Sequence, residues 1–504
     1  MKSSYLKLLR TELHRLEKQG GFRAVEEYLD WCEKNFERPE YLVVVTLEKA
    51  RLAFFYGHWE ECLSLLDQAE LRDHLLEPDD RALFFLLSAR LHQGYGDLNQ
   101  SLAFLEIALS ESEAGFGLRT IEATLEMASL FHRIGEQERG ADFLSEAERL
   151  LQDRPDPGLM SRLAFERGLV SVRSEQLCEA VEQFELSLSC LGPEPSVGRG
   201  EGLRFLGILA ALDSRPVDAL VHQKKALDCF SALPYGLGCA KAYNSIGQTC
   251  MQLARYAEAQ FFLQESERIC REIGAEAERA MILGKLGLVF AKTGRYEKAI
   301  SYQKQDLEIS SRFGNFRALA FSLRNLGLSY KAKGEFGTAV RYLRDSRDRF
   351  AELEDFTFQV KADLDLVSAL VEHDCVTEAF GYLQDAQELL EKRLEVTADH
   401  VNARYYAGVI ALDTGAYHKA EGLLWQALEM CRAFSMEVRQ ADVHFQLARL
   451  YTAKNDRTAA LEELRSVYRL ARGHSLGPLL EKTVAKLHEI EPNSLFEELL
   501  HPQF

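Results

Sequence analysis

The chain carries few of the patterns by which enzymes announce themselves. Its 504 residues contain no Gly-x-x-x-x-Gly-Lys-Ser/Thr, no His-Glu-x-x-His and no Gly-x-Ser-x-Gly. Those patterns encode a phosphate-cradling loop, a zinc-binding helix and a nucleophile elbow, so none of these devices is expected. The ten cysteines never stand as Cys-x-x-Cys and sit among apolar neighbours, which points to buried free thiols in a reducing compartment. No apolar run approaches the roughly 20 residues that span a bilayer; Leu42-Val-Val-Val45 is typical. Lys7 and Arg10 interrupt the stretch a signal peptide would need. Positive charge is also short, with 60 Lys and Arg against 78 Asp and Glu, a net charge of −18. That balance excludes a general nucleic-acid or anionic-membrane surface. The expectation is a cytoplasmic protein with no membrane insertion and no nucleic-acid partner.

Proline is absent between Pro234 and Pro478, while Pro155, Pro157, Pro193, Pro195, Pro216 and Pro234 crowd the middle of the chain. A proline-free stretch can be an unbroken stack of helices. Gly192 to Gly202 reads as a loop, as does Gly236-Leu-Gly-Cys239. These signals predict a degenerate array over 1–155, an interrupted joint that includes one repeat over 156–202, a regular array over 203–472 and a capping helix with a tail over 473–504.

What the chain has instead is a ruler of about forty residues. Gly294-Arg-Tyr-Glu-Lys-Ala299 returns as Gly334-Glu-Phe-Gly-Thr-Ala339, with Ala254-Arg-Tyr-Ala-Glu-Ala259 upstream and Gly415-Ala-Tyr-His-Lys-Ala420 downstream. The anchor positions are Val25, Cys62, Ser101, Gly140, Ala180, Ala219, Ala259, Ala299, Ala339, Ala379, Ala420 and Ala460, giving twelve repeats. Five residues before the anchor stands Gly20, Gly57, Gly96, Gly135, Gly294, Gly334 or Gly415, with Asp374 and Asn455 as substitutes. These types enter a left-handed backbone at least cost, as a helix C-terminus requires. Twelve residues before the anchor lies Gly247, Gly287, Gly327 or Gly408. Leu283, Leu286, Gly287 and Phe290 fall at i, i+3, i+4 and i+7, one face of a first helix; Tyr296, Ala299, Ile300 and Leu307 mark a second. Such pairs bury their apolar faces only by stacking on their neighbours. Leu480, Val484 and Leu487, following Leu476, continue the helical spacing as a cap.

The unit resembles the tetratricopeptide repeat, on Tyr243, Ile246, Gly247 and Ala259 in one copy and Leu323, Leu326, Gly327, Tyr330 and Ala339 in another. Its period is longer than the usual 34 residues, as in spindle-orientation adaptors, kinesin light chains and Rap- or MalT-like regulators. The resemblance implies an all-α, right-handed superhelical solenoid of about twelve antiparallel helix pairs with a C-terminal capping helix. It further implies a non-catalytic scaffold that binds a protein or peptide partner along its concave side. The alternative is a regulator that senses a peptide or small ligand and controls a separate effector.

Numbering each repeat from slot one, nineteen residues before its anchor, slots two, five, nine and twelve share an arc of about 80° at ~100° per residue. There the sixth to ninth repeats place Arg204, Lys241, Asn244, Gln248, Met251, Phe321, Arg324 and Lys331. Arg and Lys suit carboxylates, so an acidic partner is the chemistry expected, with Asn244 and Gln248 bonding an extended backbone. His132, His373, His418 and His444 are scattered without ligand spacing, and no metal or cofactor is expected. Cys250 occupies a core slot.

Overall fold

The structure is a computed structural model that describes residues 8–13, 15–16, 21–113, 117–174, 176–213, 215–233, 235–312, 316–392, 396–434, 436–473 and 477–490. Gly20, Pro234, Gly314, Leu476 and the tail Leu495 to Phe504 lie outside the described residues. Among those described there is no strand; regular structure is helical throughout. The helices are α1 (Gly21–Asn35), α2 (Pro39–Tyr56), α3 (Trp59–Glu70), α4 (Pro78–Tyr95), α5 (Leu98–Glu113), α6 (Leu118–Ile134), α7 (Gln137–Asp153) and α8 (Pro157–Arg173). Next come α9 (Leu177–Ser189), α10 (Val197–Leu212), α11 (Pro216–Ser231), α12 (Gly236–Gln252), α13 (Tyr256–Glu272), α14 (Glu276–Lys292), α15 (Tyr296–Arg312) and α16 (Phe316–Lys333). The chain closes with α17 (Phe336–Glu352), α18 (Phe356–Val371), α19 (Val376–Glu391), α20 (Ala398–Asp413), α21 (Tyr417–Ala433), α22 (Glu437–Ala453), α23 (Arg457–Gly473) and α24 (Gly477–Ile490). From α2 onward each even-numbered helix pairs with the odd-numbered one after it, up to α22 with α23, α16 meeting α17 at Gly327 and Leu343.

The pairing rests on positions where one helix has no room for a side chain. Val25, Cys62, Ser101, Ala180, Ala219, Ala259, Ala299, Ala339, Ala379, Ala420 and Ala460 are all 0 % exposed, and Gly140 is buried. Opposite them, a Cβ on Gly327 would sit 2.7 Å from Leu343 Cγ and 3.2 Å from the Ala339 carbonyl oxygen. Gly247 against Leu263 and Gly408 against Leu424 repeat the arrangement. Buried serines add a polar tie: Ser266 Oγ donates to the Ala240 carbonyl at 2.6 Å and Ser346 Oγ to the Ala320 carbonyl at 2.8 Å. The turns between first and second helices are left-handed at Gly57, Gly96, Gly135, Gly294, Gly334 and Gly415, and at Asp374 and Asn455. Ala254 takes the same conformation at φ 55° without the ease of glycine.

Two readings of the glycine- and proline-rich middle are corrected. Gly198 to Gly202 lies inside α10, and Gly236 to Cys239 forms the first turn of α12. Their glycines serve close packing: a Cβ on Gly202 would lie 2.9 Å from Leu188 Cδ2, and one on Gly238 2.5 Å from Phe230 Cδ1. The repeat expected within 156–202 is the pair α8 and α9. Pro157 and Pro216 stand in the first turns of α8 and α11, where a missing N–H leaves no bond unmade. The chain divides into two compact units, Met1–Ala318 and Leu319–Phe504. In the second unit, α24 packs on α23, with Leu487 against Leu464 and Ala448.

Two glycines of the second unit should respond with opposite signs. Gly327→Val forces a branched side chain into the Leu343 contact and should destabilise the unit by about 1–3 kcal/mol. Gly381→Ala, inside α19 with nothing within 4 Å of the added carbon, should stabilise it by about 0.5–1 kcal/mol. Urea denaturation of the two variants checks both.

Candidate binding surface on the first helices

In the unit of residues 1–318, first helices touch first helices: α4 meets α6, α6 meets α8, α8 meets α10, α10 meets α12 and α12 meets α14. They therefore line one common side. That lining also closes on itself, because α2 touches α12 and α4 touches α14. At the seam the Phe55 and Tyr235 rings stack at 5.1 Å, and Gly57 packs on Ile273. One apolar cluster runs through Leu47, Leu52, Leu87 and Leu91 on one side of the seam and Leu237, Ile246, Ile282 and Leu286 on the other.

Polar side chains link the successive first helices. The hub is slot six, which receives slots five and nine of the preceding repeat. Glu126 of α6 accepts from Arg90 Nε of α4 at 2.5 Å and from Arg162 of α8 at 2.8 Å. Burial alone would raise the Glu126 carboxyl; Arg162 and Arg90 outweigh it and hold it down at about 2. Glu166, one turn along α8 from Arg162, is 5 % exposed. Burial pushes its carboxyl up to about 7, with Arg162 opposing and the charge of Glu126 adding to the rise.

Further along, Arg204 of α10 pairs with Glu201 at 2.6 Å and stacks over Phe205 at 4.4 Å. Lys241 Nζ of α12 approaches Glu201 at 3.7 Å. Lys285 of α14 donates to Asn244 Oδ1 at 2.8 Å and to Gln248 Oε1 at 2.7 Å. Burial, then the like charge of Arg204, pushes the Lys285 ammonium down to about 8. Tyr235 joins the seam to these charges, since Lys241, Glu201, Glu278 and Arg90 all act on its hydroxyl.

The eight residues singled out from sequence thus occupy three kinds of place. Arg204, Lys241, Asn244 and Gln248 lie together on the lining of the first unit, engaged with Glu201 or Lys285. Met251 is half-buried against the apolar cluster. Phe321, Arg324 and Lys331 belong to the second unit. There the Phe321 ring meets Phe358 at 4.5 Å and Phe350 at 5.1 Å, so it serves packing. Arg324 pairs with Asp365 at 2.6 Å, and Lys331 reaches Ser368 at 2.5 Å and Glu372 at 2.9 Å. Sequence reasoning missed Glu126, Glu166 and Lys285, all in slot six, which lies about 40° beyond slot two at ~100° per residue. Among the described residues no three His, Cys, Asp or Glu side chains gather as a metal site needs. None of the described helices is long and apolar enough to cross a membrane.

With this geometry in hand, comparisons with known proteins bear on the fold. Residues 240–272 and 278–352 match models of the tetratricopeptide repeat. No curated protein matches the chain. A Rap protein complexed with competence and sporulation factor is similar at 13% identity and a TM-score of 0.55, over 72% of this chain and 99% of that one. A Signal Transduction ATPase with Numerous Domains from Pyrococcus horikoshii, with a tetratricopeptide repeat sensor, is similar at 13% identity and a TM-score of 0.52. That match covers 83% of this chain and 66% of that one.

Glu166 gives the lining a measurable pH signature. Its carboxyl rises from the ordinary 4.5 to about 7 on folding, so the native state binds the extra proton. Its contribution is fully present below about pH 4.5 and is lost as pH rises through about 7. Glu126 has the opposite sign, contributing above about 4.5 and losing that as pH falls toward about 2. Glu166→Gln should therefore flatten the dependence of stability on pH between about 5 and 8, by at most on the order of 3 kcal/mol. Thermal unfolding of wild type and variant across that range measures it.

Proposed function

The chain is a tetratricopeptide-repeat protein, and we propose that it is a non-catalytic interaction scaffold that takes a partner peptide or helix along the first helices of residues 1–318. One observation carries the reading: the first helices line one side that closes on itself, and it carries an exposed apolar side chain beside a cation. Met281 stands 50% exposed on α14 beside Lys285, whose partners are neutral amides. An exposed apolar side chain beside a cation suits an amphipathic, acidic segment. The second helices, by contrast, point their charges into ordinary surface pairs such as Arg268 with Glu265 and Glu272.

Closure at the seam supports the second reading, a regulator whose ligand controls a separate effector. A ligand entering the lining meets Lys241 and Glu201, which act on Tyr235, and Tyr235 stacks on Phe55 of α2. Occupancy would then bias the contact between the second and seventh repeats. The structural neighbours described as a Rap protein with its bound factor and as a protein with a repeat sensor are consistent with that use of the fold. A cytoplasmic location fits ten free cysteines, six of them buried.

A photo-crosslinking residue placed at Met281 should capture the partner in the native cell. The same residue at Phe261, 57% exposed on the second helix α13, should not. Capture from position 261 alone would reject the first-helix surface.

A further inference from the structure

The seam of the first unit shows how two edges of this array fit together. On one side is a turn from a first helix to its second, Phe55, Tyr56 and Gly57 at the end of α2. On the other are two turns from a second helix to the next first helix, Tyr235 before α12 and Ile273 after α13. Besides the stacked rings of Phe55 and Tyr235, a Cβ on Gly57 would lie 2.6 Å from Ile273 Cγ2, and one on Gly236 3.7 Å from the Tyr56 carbonyl oxygen. In the register of the repeat, Phe55 and Tyr56 stand seven and six residues before the anchor Cys62, and Ile273 stands fourteen after Ala259.

The same register positions recur as exposed apolar side chains. In the first unit Leu212 stands seven before Ala219 and Ile134 six before Gly140, matching Phe55 and Tyr56. They end α10 and α6, and Val217 lies in the first turn of α11. Contacts of α6 with α8 and α8 with α10 put them on one edge. In the second unit Leu353 and Phe434 stand fourteen after Ala339 and Ala420, matching Ile273. Phe356 and Val396 follow their anchors by seventeen residues and Val438 by eighteen. Contacts of α18 with α20 and α20 with α22 put these on one edge as well. All eight side chains are exposed. Single exposed apolar residues are ordinary, whereas rows of them in the register of an existing contact mark an interface.

The charges beside the two rows are complementary. Along the first, Arg139 is paired with Glu136 and Arg215 with Asp213. Arg133 gives its Nη1 hydrogen to the neutral Gln93 oxygen at 2.9 Å, and Arg173 is exposed at the end of α8. Along the second row, exposed Glu352, Glu354, Glu391 and Glu437 outnumber Lys392 and Arg432.

We infer that the chain associates with a second copy of itself, the row of Leu353, Phe356, Val396, Phe434 and Val438 docking on Ile134, Leu212 and Val217 of the other copy. The seam is the template for the fit, and the arginines of one edge meet the glutamates of the other. The two rows are different surfaces, so the contact is heterologous, and the rotation it imposes decides between a closed assembly and open growth. The contact does not involve the first-helix binding surface, and the two claims stand or fall separately.

Sedimentation velocity of the full chain tests this from about 5 to about 300 µM, a span suited to a small interface. The average mass should rise with concentration beyond that of the monomer. Phe356→Glu disables one row, and Leu212→Glu with Val217→Glu disables the other. Each variant alone should sediment as a monomer, and each should keep its thermal transition because the replaced side chains are exposed. A mixture of the two retains one intact row from each copy, so it should form a one-to-one pair and grow no further. Arg133→Glu with Arg173→Glu should weaken association of the otherwise unaltered chain about tenfold.

A chain that stays monomeric at every concentration would overturn the inference and leave both edges to a different protein. Variants that associate as the wild type does, or a mixture no larger than its components, would overturn it equally.

Discussion

The structure depends on the close approach of two helices within each repeat. A second helix presents a small anchor, usually alanine, and the first helix presents a small residue opposite a large one four positions beyond that anchor. Gly327 against Leu343 and Gly247 against Leu263 show why the approach admits no side chain. Because the helices meet so closely, each pair has a fixed rotation, and its outer slots point the same way in every copy. The stacking of pairs then sets a line of slot-six residues beside slots five and nine of the preceding repeat. The binding surface is thus a consequence of the packing, one layer out from it.

That layer is electrostatically uneven. Carboxylates and guanidinium groups alternate from α4 to α12 and largely cancel, as Arg90, Glu126 and Arg162 do. The cancellation ends at Lys285, where amides take the place of carboxylates. In a chain of net charge −18, a half-buried lysine whose partners among the described residues are amides stands apart from that alternation. Contact between α2 and α12 and between α4 and α14 closes the lining on itself around these groups.

The scaffold was legible where a position restricts residue type. Anchors tolerate only small side chains, with Val25 and Cys62 as the larger cases, and left-handed turns admit chiefly Gly, Asn and Asp, so both repeat visibly. Ala254 was found through its neighbours, since alanine carries no turn signal. Glycines inside α10 and α12 misled because close packing and loop flexibility select the same residue. Proline misled for a related reason: at Pro157 and Pro216 it starts a helix where an isolated sequence suggests a break. Slot six was hidden because its occupants, Glu126, Glu166, Phe205, Ser245 and Lys285, span four residue types of different charge and polarity. Its signal is relational, a partner 41 or 37 residues upstream, as Lys285 has in Asn244 and Gln248.

The central claim is that partners are taken on the first helices of residues 1–318. Hydrogen–deuterium exchange of the chain with and without a purified native partner tests it most directly. Slowed exchange concentrated in 197–212, 236–252 and 276–292 is the predicted result. Slowing confined to the second helices 216–231, 256–272 and 296–312 would contradict the account.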